Sequence, residues 1–217
     1  MRRQFHKVLL LLLLVLVRGS SSSGKAEEPG QPLEFFAQFG GSFFTSQSGL
    51  WVIPQVDPNT GQVTFSPTLL TTSLTKTGRL FAGFRYFFNH NHALEASYSY
   101  SPNDLLEHRS LTGSVFKNDI HASTLAFNYV RYMRRGSRWR PFITGGLGFV
   151  YFRGLDPPSK TTFTVNFGGG ADIPLTERVS IRLEYRDFVM GHPKVVSAFP
   201  GGVTHNQVPS VGFVFKF

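Results

Sequence analysis

From residue 33 onward, apolar residues recur at every second position, with small or polar residues between them. That is the period of an extended strand with two unlike faces, because successive side chains leave opposite sides of the backbone. The chain ends on such a stretch, about 208–217, where Val211, Phe213, Phe215 and Phe217 share a face. Seven more segments repeat the pattern. The first, about 34–45, sets Phe35, Ala37, Phe39, Gly41 and Phe43 on one side. The second, about 79–88, carries Leu80, Ala82, Phe84, Tyr86 and Phe88. The third, about 93–101, opposes Leu94, Ala96, Tyr98 and Tyr100 to Glu95, Ser97 and Ser99. Segments at about 119–132, 140–152, 161–172 and 178–189 follow. The last of these opposes Val179, Ile181, Leu183 and Tyr185 to Ser180, Arg182, Glu184 and Arg186. No helix-period segment stands out after residue 30.

The connections alternate as regularly as the faces. In order they are long (46–78), short (89–92), intermediate (102–118), short (133–139), intermediate (153–160), short (173–177) and long (190–207). Short turns at one end and longer loops at the other are the mark of an up-and-down barrel spanning a membrane. The first long connection has its own hairpin signal, Asp57-Pro-Asn-Thr-Gly61, between two arms interrupted by Pro54 and Pro67. Proline suits an edge or a projecting ribbon, so this connection is expected to be an external hairpin extending the first two strands. The alternative is two further wall strands, making ten. The expected fold is therefore all-β: an eight-stranded antiparallel up-and-down barrel, 33–217.

Alternation alone does not say which face is inside, since a ligand-binding barrel in water has the same period. Two features of the strands favour an outward apolar face. Aromatics gather toward strand ends (Tyr86, Phe88, Tyr98, Tyr100, Tyr129, Tyr132, Tyr151, Tyr185), as interfacial girdles require. The polar face carries charges of both signs: Arg85, Arg182, Arg186 and Lys216 against Glu95 and Glu184, with Asp172 as a further acid. Buried charge persists only when paired, so these residues are expected to fill the lumen as a network. Eight strands leave an interior that side chains just fill, and no open channel is expected.

Upstream of the strands, Arg2, Arg3 and Lys7 precede an unbroken Leu and Val run from Val8 to Val17, then small residues through Gly24 and Ala26. This has the form of a secretory signal peptide, 1–26, cleaved after Ala26 or after Gly24, with 27–32 as a short linker. The net charge of +9 then shrinks. Five of the 22 basic residues lie before Ala26, leaving 17 against 13 acidic ones. That balance gives no reason to expect nucleic acid. No cysteine is present, so neither disulfides nor thiolate metal sites are expected. The 23 Phe and 22 Gly with only 16% charged residues suit a barrel wall better than a surface in water.

Residues 33–217 resemble the small eight-stranded outer-membrane β-barrels, the family of the outer-membrane protein A barrel and its adhesin relatives. The residues that carry the resemblance are the leader, Pro141-Phe-Ile-Thr-Gly-Gly-Leu-Gly148, Arg182-Leu-Glu-Tyr-Arg186 and the terminal Phe217. The resemblance implies a bacterial outer-membrane location. It implies that Val211, Phe213, Phe215 and Phe217 form the insertion signal read by the barrel-assembly machinery. It implies outer-membrane lipid and lipopolysaccharide as surroundings and a monomer. With barrel strands running to Phe217, no peptidoglycan-binding domain is expected. A structural or surface-interaction role follows, with loops 46–78 and 190–207 free for partners and no cofactor. A lipid-modifying enzyme and a narrow pore are the alternatives.

Few residues invite chemistry. His121 and Ser123 share a strand face and resemble the His-x-Ser pair of small lipid A deacylase barrels. Serine deacylation needs a base in reach and a third group to orient it, and no acidic residue follows on the next two strands before Asp156 in a loop. They are expected to be ordinary outer-rim residues. His90 and His92 share a side of a tight turn without further ligands nearby in sequence, so no metal site is expected. Arg131, Arg134, Arg135, Arg138 and Arg140 crowd one short turn, where they are either solvated or set against phospholipid headgroups or the cell-wall polymer. Asp187 is expected on the lipid face near the outer interface. Gly145-Gly146 and Gly168-Gly-Gly170 lack the lysine and helix of a phosphate loop and mark room for large neighbours.

Overall fold

The computed structural model describes residues 32–217 apart from 58, 110–114, 134–138, 155–158 and 192–201. The expected leader and linker lie outside the described residues, save Pro32. Ten strands form in chain order: β1 (Leu33–Phe44), β2 (Gln47–Val56), β3 (Val63–Leu74), β4 (Thr77–Asn89), β5 (His92–Arg109), β6 (Val115–Tyr132), β7 (Arg140–Gly154), β8 (Lys160–Pro174), β9 (Val179–Gly191) and β10 (Val203–Lys216).

Eight of them close a ring. β1 lies between β4 and β10, the wall continues through β9, β8, β7 and β6, and β6 pairs with β5, which pairs back with β4. Closure leaves the wall without a free edge, the only form in which strands span lipid with every backbone group satisfied. β2 and β3 stand outside the ring as a hairpin, so the eight-strand expectation holds and the ten-strand wall does not. The hairpin is tied down where Leu70–Leu74 of β3 pair with Leu105–Arg109 of β5. Its tip closes as expected: the Gly61 N–H donates to the Asp57 carbonyl (2.9 Å), with Gly61 at φ 67°, a conformation glycine adopts at no steric cost.

Two stretches depart from the sequence expectation. Most of the expected connection 102–118 is strand, because β5 runs to Arg109 and β6 starts at Val115. Likewise β10 starts at Val203, inside the expected loop 190–207. Neither stretch alternates cleanly in sequence. Both extend because a neighbouring strand already offers a ladder to pair with.

The register sets the height of every inward side chain. Stepping round the ring from Phe35 through Phe84, Ala96, Phe127, Leu147, Val165, Val189 and His205, the row returns to β1 at Thr45, ten residues further along. A stagger of this size goes with strands tilted by about 35–45°. The inner face is crowded. A Cβ on Gly83 would lie 2.6 Å from the Phe36 ring and 2.5 Å from the Ala96 carbonyl oxygen, so glycine here makes room for Phe36.

Candidate functional site

The lumen has two unlike halves. Toward the short turns, the inward positions of all eight wall strands supply one continuous chain of charged and polar contacts. At its edge Arg140 reaches Glu34 (3.5 Å), and Glu34 also meets Arg182 (3.5 Å). Arg182 forks onto Asp172 with two bonds (2.7 and 2.9 Å). The Tyr132 hydroxyl donates to Asp172 (2.5 Å) and accepts from Arg85 (2.6 Å). Arg85 forks onto Glu95, which also accepts from Asn128 (3.0 Å) and Arg186 (2.9 Å). Arg186 binds Glu184, Glu184 accepts from Gln38 (3.0 Å), and Gln38 accepts from the Ser210 hydroxyl (2.7 Å).

Four carboxylates thus meet four guanidiniums, and Arg85, Arg182, Glu95 and Asp172 are almost wholly out of solvent. Removing such charges from water costs several kcal/mol per ion, and only forked, hydrogen-bonded geometry offsets that. Phe36 and Phe142 fill the space between, each ring about 5 Å from the Arg182 guanidinium.

Toward the long loops the lumen loses its ion pairs and mixes apolar side chains with buried neutral polar ones such as Ser42, Asn103, Thr164 and Asn206. Leu74, Ile120, Ala122, Val150, Phe152 and Met190 pack together there with Phe81, Phe188 and Val208. One cation stands among them. Arg79 is buried and donates to the Ser99 (2.8 and 3.1 Å) and Thr124 (2.5 Å) hydroxyls. Its guanidinium lies 5.2 and 4.8 Å from the ring centres of Phe81 and Phe188. Among the described residues no carboxylate reaches it.

Of the residues expected in the network, Arg85, Glu95, Arg182, Glu184 and Arg186 come together, as does Asp172. Lys216 does not join. It sits at the turn-side edge, opposite Glu34 in register, half-buried and without an ion pair among the described residues. Its height on β10, level with Glu34 and beyond the Arg182 row, leaves it at the rim. Glu34 and Gln38 join the network without being singled out by the sequence pattern. Tyr132, expected among the girdle aromatics, is instead buried in the lumen because it shares the inward parity of Asn128 and Val130 on β6. Arg79, also not singled out, stands apart from the network. Parity was the available signal: Glu34 alternates with Phe35, and Arg79 shares the face of Arg85.

The outward face holds the rest. His121 stacks on Tyr100, whose hydroxyl lies 3.1 Å from Nδ1, and Ser123 accepts from the Tyr98 hydroxyl (3.1 Å). Each is engaged by a girdle tyrosine rather than by the other. Asp187 faces outward in register but is buried, bonded to Nδ1 of His205 (2.8 Å). Among the described residues no group of three or more His, Asp or Glu could hold a metal ion. Val211, Phe213, Phe215 and Phe217 project outward from β10 and are exposed.

The ribbon of β2 and β3 rises beyond the wall. In register, Leu50 faces Leu69, Val52 faces Pro67 and Pro54 faces Phe65, so one ribbon face is apolar. Leu50 is 73% and Phe65 69% exposed. At its tip the Asn59 N–H donates to the Asp57 carboxylate (2.8 Å), and that bond holds the Asp57 carboxyl below the usual carboxylate range.

Comparison with known proteins agrees with this architecture. Residues 39–217 match the family model described as the outer membrane protein beta-barrel domain. The chain belongs to this family. Its place is therefore the bacterial outer membrane, with the apolar wall facing lipid and the short turns on the periplasmic side. The chain is similar in fold to the outer membrane protein OprG from Pseudomonas aeruginosa, with 15% identity over 87% of this chain and 97% of that one and a TM-score of 0.60. It also resembles Neisserial surface protein A, at 13% identity over 84% of this chain and 97% of that one, TM-score 0.48. The sequence matches no curated protein.

Proposed function

We propose that the protein is a non-conducting outer-membrane scaffold that presents its β2–β3 ribbon to a partner at the cell surface. The observation that carries this reading is the ribbon's exposed apolar face, Leu50, Val52, Phe65 and Leu69, set beyond a wall whose lumen is crossed by a buried ion-pair network. Exposed apolar surface of this kind commonly marks an interaction site. The plug supports an absence of conductance: its ion pairs cross the lumen through six strands, and opening it would break several charged hydrogen bonds at once. The tyrosine contacts of His121 and Ser123 support a non-enzymatic role.

Capture of surface partners on whole cells tests the ribbon. Deleting residues 50–69 is expected to abolish capture while heat-modifiable gel mobility persists. Capture unchanged by the deletion removes the reading. In planar bilayers the purified barrel is expected to be silent, and steady conductance that changes with Arg182→Gln would establish a pore instead. Deacylation of purified lipopolysaccharide lost in His121→Ala would establish the enzyme. The outward row of Val211, Phe213, Phe215 and Phe217 supports recognition by the assembly machinery. Removing Phe217 is expected to leave export intact and lower the outer-membrane fraction.

A further inference from the structure

The lipid-facing wall has a hollow near the periplasmic side. Ala96 on β5 stands between Phe84 and Phe127 in register, and Gly145 on β7 lies beside Tyr129 and below Leu147. Two short side chains among large ones leave an open groove of about 550 Å³. A Cβ on Gly145 would meet nothing nearer than 3.8 Å. The volume falls in the range of about 300–1,000 Å³ typical of small-ligand sites.

The groove ends in a polar shelf. One row nearer the turns, His92 and Arg131 face each other across β5 and β6, and directly opposed side chains have Cβ atoms about 4.5–5.5 Å apart. The His92 ring is held in place, bonded to the Tyr129 hydroxyl and stacked on Tyr129 and Phe88. Arg131 is exposed and has no ion pair among the described residues. Arg140, from the same basic turn, behaves differently: it binds Glu34 and lies 4.6 Å from the Tyr132 ring centre. Of the two described arginines of this turn, Arg140 is committed to the network and Arg131 faces the headgroup level.

We propose that this groove holds one glycerophospholipid of the inner leaflet. An acyl chain lies over Ala96 and Gly145, and the phosphate sits on Arg131 beside the His92–Tyr129 pair. Charge complementarity selects the occupant. The groove opens at the periplasmic level, where the lipid anion is a glycerophosphate, whereas lipopolysaccharide phosphates lie in the opposite leaflet at the loop end. Acyl burial alone selects little, because surrounding lipid is equally apolar. The shape of the hollow and the Arg131 charge make the difference, and one such charge near an anionic surface is worth about fivefold in preference.

The test uses the barrel in nanodiscs of equal parts phosphatidylcholine and phosphatidylglycerol, released and weighed by native mass spectrometry. The wild type is expected to retain one phospholipid, with phosphatidylglycerol favoured about fivefold. Arg131→Gln is expected to keep the adduct and lose the preference. Ala96→Leu and Gly145→Leu, both outward, are expected to lose the adduct, and heat-modifiable mobility identifies which of the two is folded. An adduct that persists in the folded filled variants overturns the proposal. So does a preference unchanged in Arg131→Gln, or a release in which paired protein chains replace the lipid adduct.

Discussion

The periplasmic half of the lumen and its external half solve one problem in opposite ways. Both must fill a narrow, water-poor bore. The lower half uses charge against charge, with Arg85, Arg182 and Arg186 tied into Glu34, Glu95, Asp172 and Glu184. The upper half uses neutral side chains, apolar ones such as Ile120, Phe152 and Met190 beside Ser42 and Asn206, and admits one cation, Arg79, held by hydroxyls and ring faces. The difference teaches what each half can tolerate. An ion-pair network is costly to break at one member, because the survivors keep a buried charge. A neutral packing loses the contacts removed and the cavity they leave, with no stranded charge.

That contrast can be broken by experiment. The largest effect is expected from Arg85→Met, which strands Glu95 beside Arg186 alone and should cost about 3–5 kcal/mol in urea unfolding of the lipid-embedded barrel. Changing both partners, Arg85→Met with Glu95→Leu, should recover a large part of that loss, since no lone charge then remains. A double variant as weak as the single one would mean that the network is not the source of the cost. Ile120→Val in the upper half should cost about 0.5–1.5 kcal/mol.

Arg79→Met sharpens the comparison most directly. Methionine has similar reach and no charge to solvate, so stability should stay within about 1 kcal/mol of wild type or rise. A loss as large as that of Arg85→Met would show that the two arginines are held alike and remove the distinction. The smallest effect is expected at the ribbon tip. The Asp57 carboxyl lies below its usual value because it accepts from Asn59, so its contribution is present above the unfolded pKa and fades as pH falls through the folded one. Asp57→Ala, or acidification through the carboxylate range, should speed amide exchange at Asn59 and Gly61 and leave the gel mobility of the barrel unchanged.

Much of the lumen is legible in the amino-acid pattern. Parity alone puts Arg85, Glu95, Arg182, Glu184 and Arg186 on the inner face, because a strand cannot place neighbours on one side. Arg79 is equally legible by parity, yet with no acid beside it in sequence it gives no sign of its role. What parity does not carry is height. Glu95 and Arg186 meet across the bore from strands that never touch, and Tyr132 bridges Arg85 to Asp172 only because the stagger of ten residues brings those rows level. The hollow at Ala96 and Gly145 is of the same kind, since two small residues 49 positions apart become neighbours only through the register of β5, β6 and β7.

The strand period and the alternation of short turns and long loops are set by the amino-acid sequence, which favours an outward apolar face and eight wall strands while leaving ten open. These follow from local geometry, in which each residue needs only its neighbours along the chain. Tertiary structure alone decided which charges pair, that Arg79 stands apart and Lys216 stays at the rim, that β5 and β6 run on past the expected loop, and where the wall is hollow. Those depend on ring closure and shear, which relate residues far apart in sequence through the summed stagger of eight strands.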